Sequence, residues 1–236
     1  MKYVLMLMLF ATTSYSMNGG CFEEHLKDAI KRNQTRKSFY NNPEYSKKVR
    51  KRAKFIANSL IFAEKLSLIT AKKYDRKAEY FQRNGLTILC DELIDINDIR
   101  TPLSFKEPEG DQPKSFIPSK GKILKRKIKK ALKKNDLAAI IEIVNHKLDE
   151  LEKRPDYNCL MRNDLRTILF IAQRAGHHEA VAKEKGIKSP MGLSLALIKK
   201  MSVALPFIDF FDKKAFPLQK EGIPIICQDF PGSRNY

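Results

Sequence analysis

Along most of this chain apolar residues recur every three or four positions, the spacing of a helix with one buried face. Phe22, Leu26, Ala29 and Ile30 keep that spacing over residues 21–33 and predict a short amphipathic helix. Asn41-Asn42-Pro43-Glu44 reads as the start of the next, since Asn can cap a helix and Pro tolerates its first turn. The pattern then stays helical to Asn84-Gly85, where glycine can take a left-handed stop. A lone helix of that length is unusual in a globular domain, so a break is expected between Leu68 and Lys73. It would make a hairpin with one apolar face at Val49, Ile56 and Leu60 and another at Tyr74, Ala78 and Phe81.

Pro102, Pro108, Pro113, Pro118, Gly110 and Gly121 interrupt residues 98–121 and predict an exposed connector. Helical periodicity resumes at Lys122 and runs, with turns, to residue 203. In residues 204–236 Pro206, Pro217, Pro224 and Pro231 punctuate an apolar tail, expected to be irregular and packed on the body, with room for one short strand at Ile223 to Cys227. The expected organisation is all-α: a signal peptide at 1–16, a helical hairpin region at 17–97, the connector at 98–121, a helical region at 122–203 and the tail at 204–236.

The N-terminus supports the first of these assignments. Lys2 precedes an apolar run from Val4 to Ala11 and the small-residue stretch ending Ser14-Tyr15-Ser16, the pattern of a cleaved export signal. The run is too short to span a bilayer, which takes about 20 apolar residues. An anchor on Cys21 would want an aliphatic residue where Asn18 stands. Export makes disulfides plausible among Cys21, Cys90, Cys159 and Cys227, with three pairings open, while their wide spacing excludes a metal knuckle or redox pair.

Charge narrows the partners. Forty-five Lys and Arg against 27 Asp and Glu give a formal +18, which favours an anionic partner such as an acidic protein or an anionic membrane surface. The densest cluster is Lys120, Lys122, Lys125, Arg126, Lys127, Lys129, Lys130, Lys133 and Lys134, interleaved with Ile123, Leu124, Ile128, Ala131 and Leu132. It predicts a helix with one apolar stripe and a basic surface, either simply solvated or an anion-binding face. A second basic turn runs from Lys47 to Lys54. Neither has the aromatic spacing of a base-stacking module, and export further disfavours nucleic acid.

No nucleophile elbow, phosphate-binding loop or dinucleotide fingerprint occurs, so no catalytic or cofactor-binding residue is assigned. His177 and His178 are adjacent and diverge on a helix. His25 and His146 lack ligand spacing, so no metal site is assigned either.

One segment is more specific. Thr167-Ile168-Leu169-Phe170-Ile171-Ala172 followed by Gly176-His177-His178-Glu179-Ala180-Val181 resembles the core of an ankyrin repeat. In that likeness Thr167 caps a first helix, Leu169 faces the core, Ala172 lets the neighbouring repeat approach, and Gly176 supplies the left-handed turn before a second helix. Ile168 stands at the usual proline and Phe170 at the usual histidine, and Lys183, Glu184 and Lys185 replace the leucines of the second helix. Residues 128–144 resemble a second unit, with Ile128 and Ala131 at the same spacing, Asn135 at the turn, and Ile140, Ile143 and Val144 on the second helix. The two alanines are 172 − 131 = 41 apart, against a family period of about 33, which implies an insertion within 149–158. Leu195 with Ile208 and Phe211 would form a weaker third unit.

Ordinary or tetratricopeptide-like helical hairpins are the competing description. The ankyrin likeness covers residues 124–186 and implies a short repeat stack and a non-enzymatic protein-binding role. It places the recognition surface near the turns, at Arg162, Asn163, Arg166, Lys129 and Lys133. An alternative role is peripheral attachment to an anionic membrane surface through the basic helix.

Overall fold

A computed structural model describes residues 22–86, 88, 120–152, 158–221, 223, 225 and 226. The export-signal stretch, the connector from 98 to 119 and the 153–157 segment lie outside the described residues. Those described are all-helical, with no strand among them. Six helices follow one another: α1 (Phe22–Asn41), α2 (Lys47–Arg83), α3 (Gly121–Lys133), α4 (Leu137–Glu152), α5 (Cys159–Glu184) and α6 (Met191–Lys220).

α2 begins later than its Asn-Pro sequence suggests. The Asn42 side chain accepts a hydrogen bond from the Glu44 amide at 3.0 Å, closing a local turn, and Ser46 caps the helix by accepting from the Val49 amide at 3.3 Å. The expected break at 68–73 is absent, and α2 is one helix of 37 residues, about 55 Å long. Neither Gly nor Pro occurs in it, and Val49, Ile56 and Leu60 continue onto Tyr74, Ala78 and Phe81 as one stripe. The helix keeps its length because that stripe meets partners along its course. Ala53, Ile56, Ala57 and Leu60 join the main core, while Phe81, Leu86 and Ile88 form a smaller one with Ala182.

The stop at Gly85 has φ +69°, with the Leu86 amide donating to the Phe81 carbonyl at 2.9 Å. The Lys185 ammonium fixes this turn from another helix by donating to the Asn84 and Gly85 carbonyls at 3.2 and 3.0 Å.

α1 lies along α2 through a buried charge cluster that periodicity does not reveal. Glu64 on α2 accepts from Arg32 Nε at 2.8 Å and from Arg36 Nη1 at 2.7 Å, with all three side chains withdrawn from water. Such a cluster costs desolvation, and its value lies in fixing which face of α1 meets α2.

α3 and α4 form the hairpin expected for residues 128–144. Asn135 has φ +53°, the Asp136 amide donates back to the Ala131 carbonyl at 3.1 Å, and the Asp136 carboxylate accepts from the Ala139 amide at 2.9 Å to cap α4. Ile140 and Val144 are fully buried on α4, with Ile143 half-buried beside them.

The second repeat-like unit departs from its expected geometry. α5 runs without interruption from Cys159 to Glu184, straight through Gly176, which has no left-handed φ. Thr167 caps nothing, because it lies inside the helix and its hydroxyl donates to the Asn163 carbonyl at 3.0 Å. Ile168 is fully buried, Leu169 is half-buried against the core, and Ala172 is buried. The turn comes ten residues later, where Gly186 has φ +63° and the Ile187 amide donates to the Ala182 carbonyl at 3.0 Å.

α6 departs further, since one helix carries Leu195, Ile208 and Phe211 together and passes through Pro206 and Pro217 to Lys220. Each proline removes one ladder hydrogen bond, and burial of Leu197, Ile198, Met201, Leu205, Ile208 and Leu218 outweighs that loss. Beyond it Ile223, Ile225 and Ile226 are buried on the body.

α6 is the centre of the assembly, packing on α5, α3 and α2, while α4 joins α3 to α5. Helices α3, α4, α5 and α6 thus close as a ring around one core, with α3 opposite α5. In a repeat stack those first helices would instead lie side by side. α3 and α6 approach each other closely at Gly121. A Cβ on Gly121 would stand 2.4 Å from the Leu205 carbonyl oxygen and 3.0 Å from Pro206 Cα.

Candidate functional site

Two groups of polar residues stand out, one inside the ring and one on its surface. The inner group surrounds the start of α5. Asn158 precedes the helix but gives it no side-chain cap. Instead Asp212, 52 residues along on α6, accepts from the Leu160 amide at 3.2 Å and the Met161 amide at 3.0 Å. Burial pushes the Asp212 carboxyl up to about 8. The two amides hold it down, Asp209 adds to the rise, and the Arg162 charge opposes it. Asp164 and Arg162 are buried in the same part of α5. Through these two hydrogen bonds Asp212 joins α6 to the start of α5.

The outer group is on α3. Leu124, Ile128 and Ala131 turn into the core, and on the opposite side Lys122, Arg126, Lys129 and Lys133 are all exposed. Their spacing of four, three and four residues sets them in one row along the helix, with Lys127 and Lys130 beside it. Ile123, half exposed, stands among these cations. α3 contains no acidic residue, and none of its cations forms an ion pair within the described residues. Like charges three and four residues apart each cost a helix about 0.2–0.5 kcal/mol, so the row lowers the stability of the fold that carries it. Only the last turn, with Lys130 and Lys133, gains from the helix dipole.

Of the five residues expected to form one recognition surface, Lys129 and Lys133 belong to this row. Asn163 and Arg166 are half-buried on α5, on the far side of the ring, and Arg162 is 6% exposed and faces Asp212. The five are therefore not one surface. The turn expected near Arg166 is replaced by continuous helix, which carries its side chains inward.

His177 is exposed and His178 is buried on α5, and His146 is exposed on α4. No group of three or more His, Cys, Asp or Glu side chains could hold a metal among the described residues. Arg76, Glu79, Tyr80, Arg83 and Asn84 line an open depression at the end of α2, with no nucleophile set beside a base.

Asp212 and the Arg32, Arg36 and Glu64 cluster were not singled out by sequence reasoning. The usable signal was a pair of aspartates, Asp209 within the apolar run from Leu205 to Phe211 and Asp212 at its end, since burial of either requires a partner. No family model, curated protein or solved structure matches the chain.

Proposed function

We propose that this chain is a non-enzymatic, exported protein that attaches to an anionic lipid surface through the outer face of α3. The observation that carries the reading is the row of Lys122, Arg126, Lys129 and Lys133, exposed and free of any carboxylate on its own helix. A convex row of ammonium and guanidinium groups suits a flat anionic surface better than a peptide, which a groove would hold. Each such cation is worth about 1 kcal/mol near an anionic leaflet. Ile123 adds an apolar contact at headgroup depth.

Export is supported by the charged start, apolar run and small residues of positions 1–16. A disulfide framework suited to an oxidising compartment is part of the same proposal. It is supported by Cys159, which is buried and not a free thiol. Groove recognition of the ankyrin kind receives no such support, because the residues it would use do not converge.

The test is co-sedimentation of the mature protein with vesicles. Binding to phosphatidylglycerol vesicles and not to phosphatidylcholine is expected at low salt, fading over a few hundred millimolar as screening shortens the reach of each charge. Lys129→Glu with Lys133→Glu removes two favourable cations and is expected to weaken binding about 30-fold or more. Equal binding to neutral vesicles, insensitivity to salt, or displacement of the vesicles by short duplex DNA would each overturn the reading.

A further inference from the structure

α2 turns its core stripe toward α1 and α6, yet its opposite side also carries large apolar side chains. Phe55, Phe62 and Ile69 are 56%, 43% and 68% exposed, and Tyr80 is 47% exposed. The first three are seven residues apart, and Tyr80 follows Ile69 by eleven. Seven residues fall about 20° short of two helical turns and eleven run about 20° past three, so all four lie on one line along about 38 Å of helix.

Exposed Lys48, Lys54, Lys65 and Arg76 flank this line, and exposed Lys51 and Lys73 stand within it, above and below the three apolar side chains. The helix's three acidic residues, Glu64, Asp75 and Glu79, all project about 100° or more away from it. The outer half of α2 is therefore a line of separate apolar side chains set among cations.

We infer that the outer face of α2 docks an acidic amphipathic helix of a partner protein, laid along Phe55, Phe62 and Ile69 with its carboxylates against the flanking lysines. Charge complementarity selects this occupant. A second copy of the chain would set lysines against lysines on a molecule already carrying +18. A bilayer is favoured by a wide apolar face, whereas these side chains span only about 40° of the helix, and Phe55, Phe62 and Ile69 recur once per heptad, the period at which one position of a helix meets a partner helix. The seam uses none of the α3 residues, so this inference stands apart from lipid attachment.

The probe is a fluorescein-labelled synthetic helix of four heptads, with Leu at its two seam positions and Glu beside them. The glutamates keep it from pairing with itself. Its control has the same composition in an order that scatters the leucines. Anisotropy with the full mature chain at physiological salt is expected to give at least tenfold tighter binding for the heptad peptide. Phe62→Ser with Ile69→Ser is expected to weaken that binding tenfold or more. Lys51→Glu with Lys73→Glu should do likewise, whereas Lys129→Glu with Lys133→Glu should leave it within about threefold.

All these positions are exposed, and an unchanged helical spectrum and Tm verify folding. Absence of binding, equal binding of the scattered peptide, or indifference to the serine pair overturns the inference. So does vesicle binding that fails with the serine pair, or self-association that the same pair abolishes. Peptide binding seen only after Asp91, Glu92, Asp95 and Asp98 are changed to Asn would give the seam to the chain's own acidic stretch and overturn the partner.

Discussion

Asp212 shows how one side chain can set the pH response of a helix junction. Its carboxyl ordinarily titrates near 3.8, and burial raises it to about 8 in the fold. Between those values the folded protein keeps a proton that the unfolded chain has released. This group's contribution to stability therefore falls as pH rises from about 4 to about 8 and levels off above that. Asp212→Asn removes the titration while leaving an oxygen for the α5 amides. Thermal melts should show the native protein losing ground to the variant across this window, by on the order of a few kcal/mol. Parallel melting curves would show that Asp212 does not titrate in the fold. Nothing local in the sequence distinguishes this aspartate from Asp209, three residues earlier and half-buried. The difference is made by burial against the start of α5, whose Leu160 and Met161 lie 52 and 51 positions away.

Helices as objects were legible in the sequence, and their ends were legible wherever a local device stops them. Asn84-Gly85 and Asn135 carry left-handed residues at α2 and α3 exits as their chemistry implies. Gly176 and Pro206 have the look of the same signals but interrupt nothing, because packing on both sides of α5 and α6 outweighs a residue's own preference. Gly121 is the reverse case, assigned to a connector yet inside α3 and pressed against α6.

These two glycines give opposite expectations. No atom lies within 4 Å of a Cβ placed on Gly176, so Gly176→Ala should stabilise the protein by about 0.5–1 kcal/mol in a denaturant titration. A turn at that position would make the same change destabilising. Gly121→Ala drives a methyl into the Leu205 carbonyl and should cost about 1–3 kcal/mol. For the candidate site, the basic face of α3 was readable from its spacing alone. Its separation from Arg162 and Arg166 was not, because that depends on which helices lie across the ring.

At the scale of the molecule, a four-helix ring carries a hairpin, α1 with α2, on the outside of α6. Among its described side chains α1 puts Ala29 in the core and half-buries Phe39 and Tyr40 against it, and Glu64 holds the helix by charge. Glu64→Ala takes from buried Arg32 and Arg36 the carboxylate they share, an imbalance of about 3–5 kcal/mol. Hydrogen exchange should then show loss of protection across α1 while α5 and α6 keep theirs. Loss of protection throughout would mean that hairpin and ring unfold as one.

The central place of α6 also orders events in time. A chain made from its N-terminus presents α3, α4 and α5 before the helix that closes them exists, so their apolar faces stay open until residues 191–220 have emerged. Late closure of this kind keeps the polypeptide pliable for as long as it is being made, and it leaves the ring's unfinished interior as the surface a holding chaperone would meet.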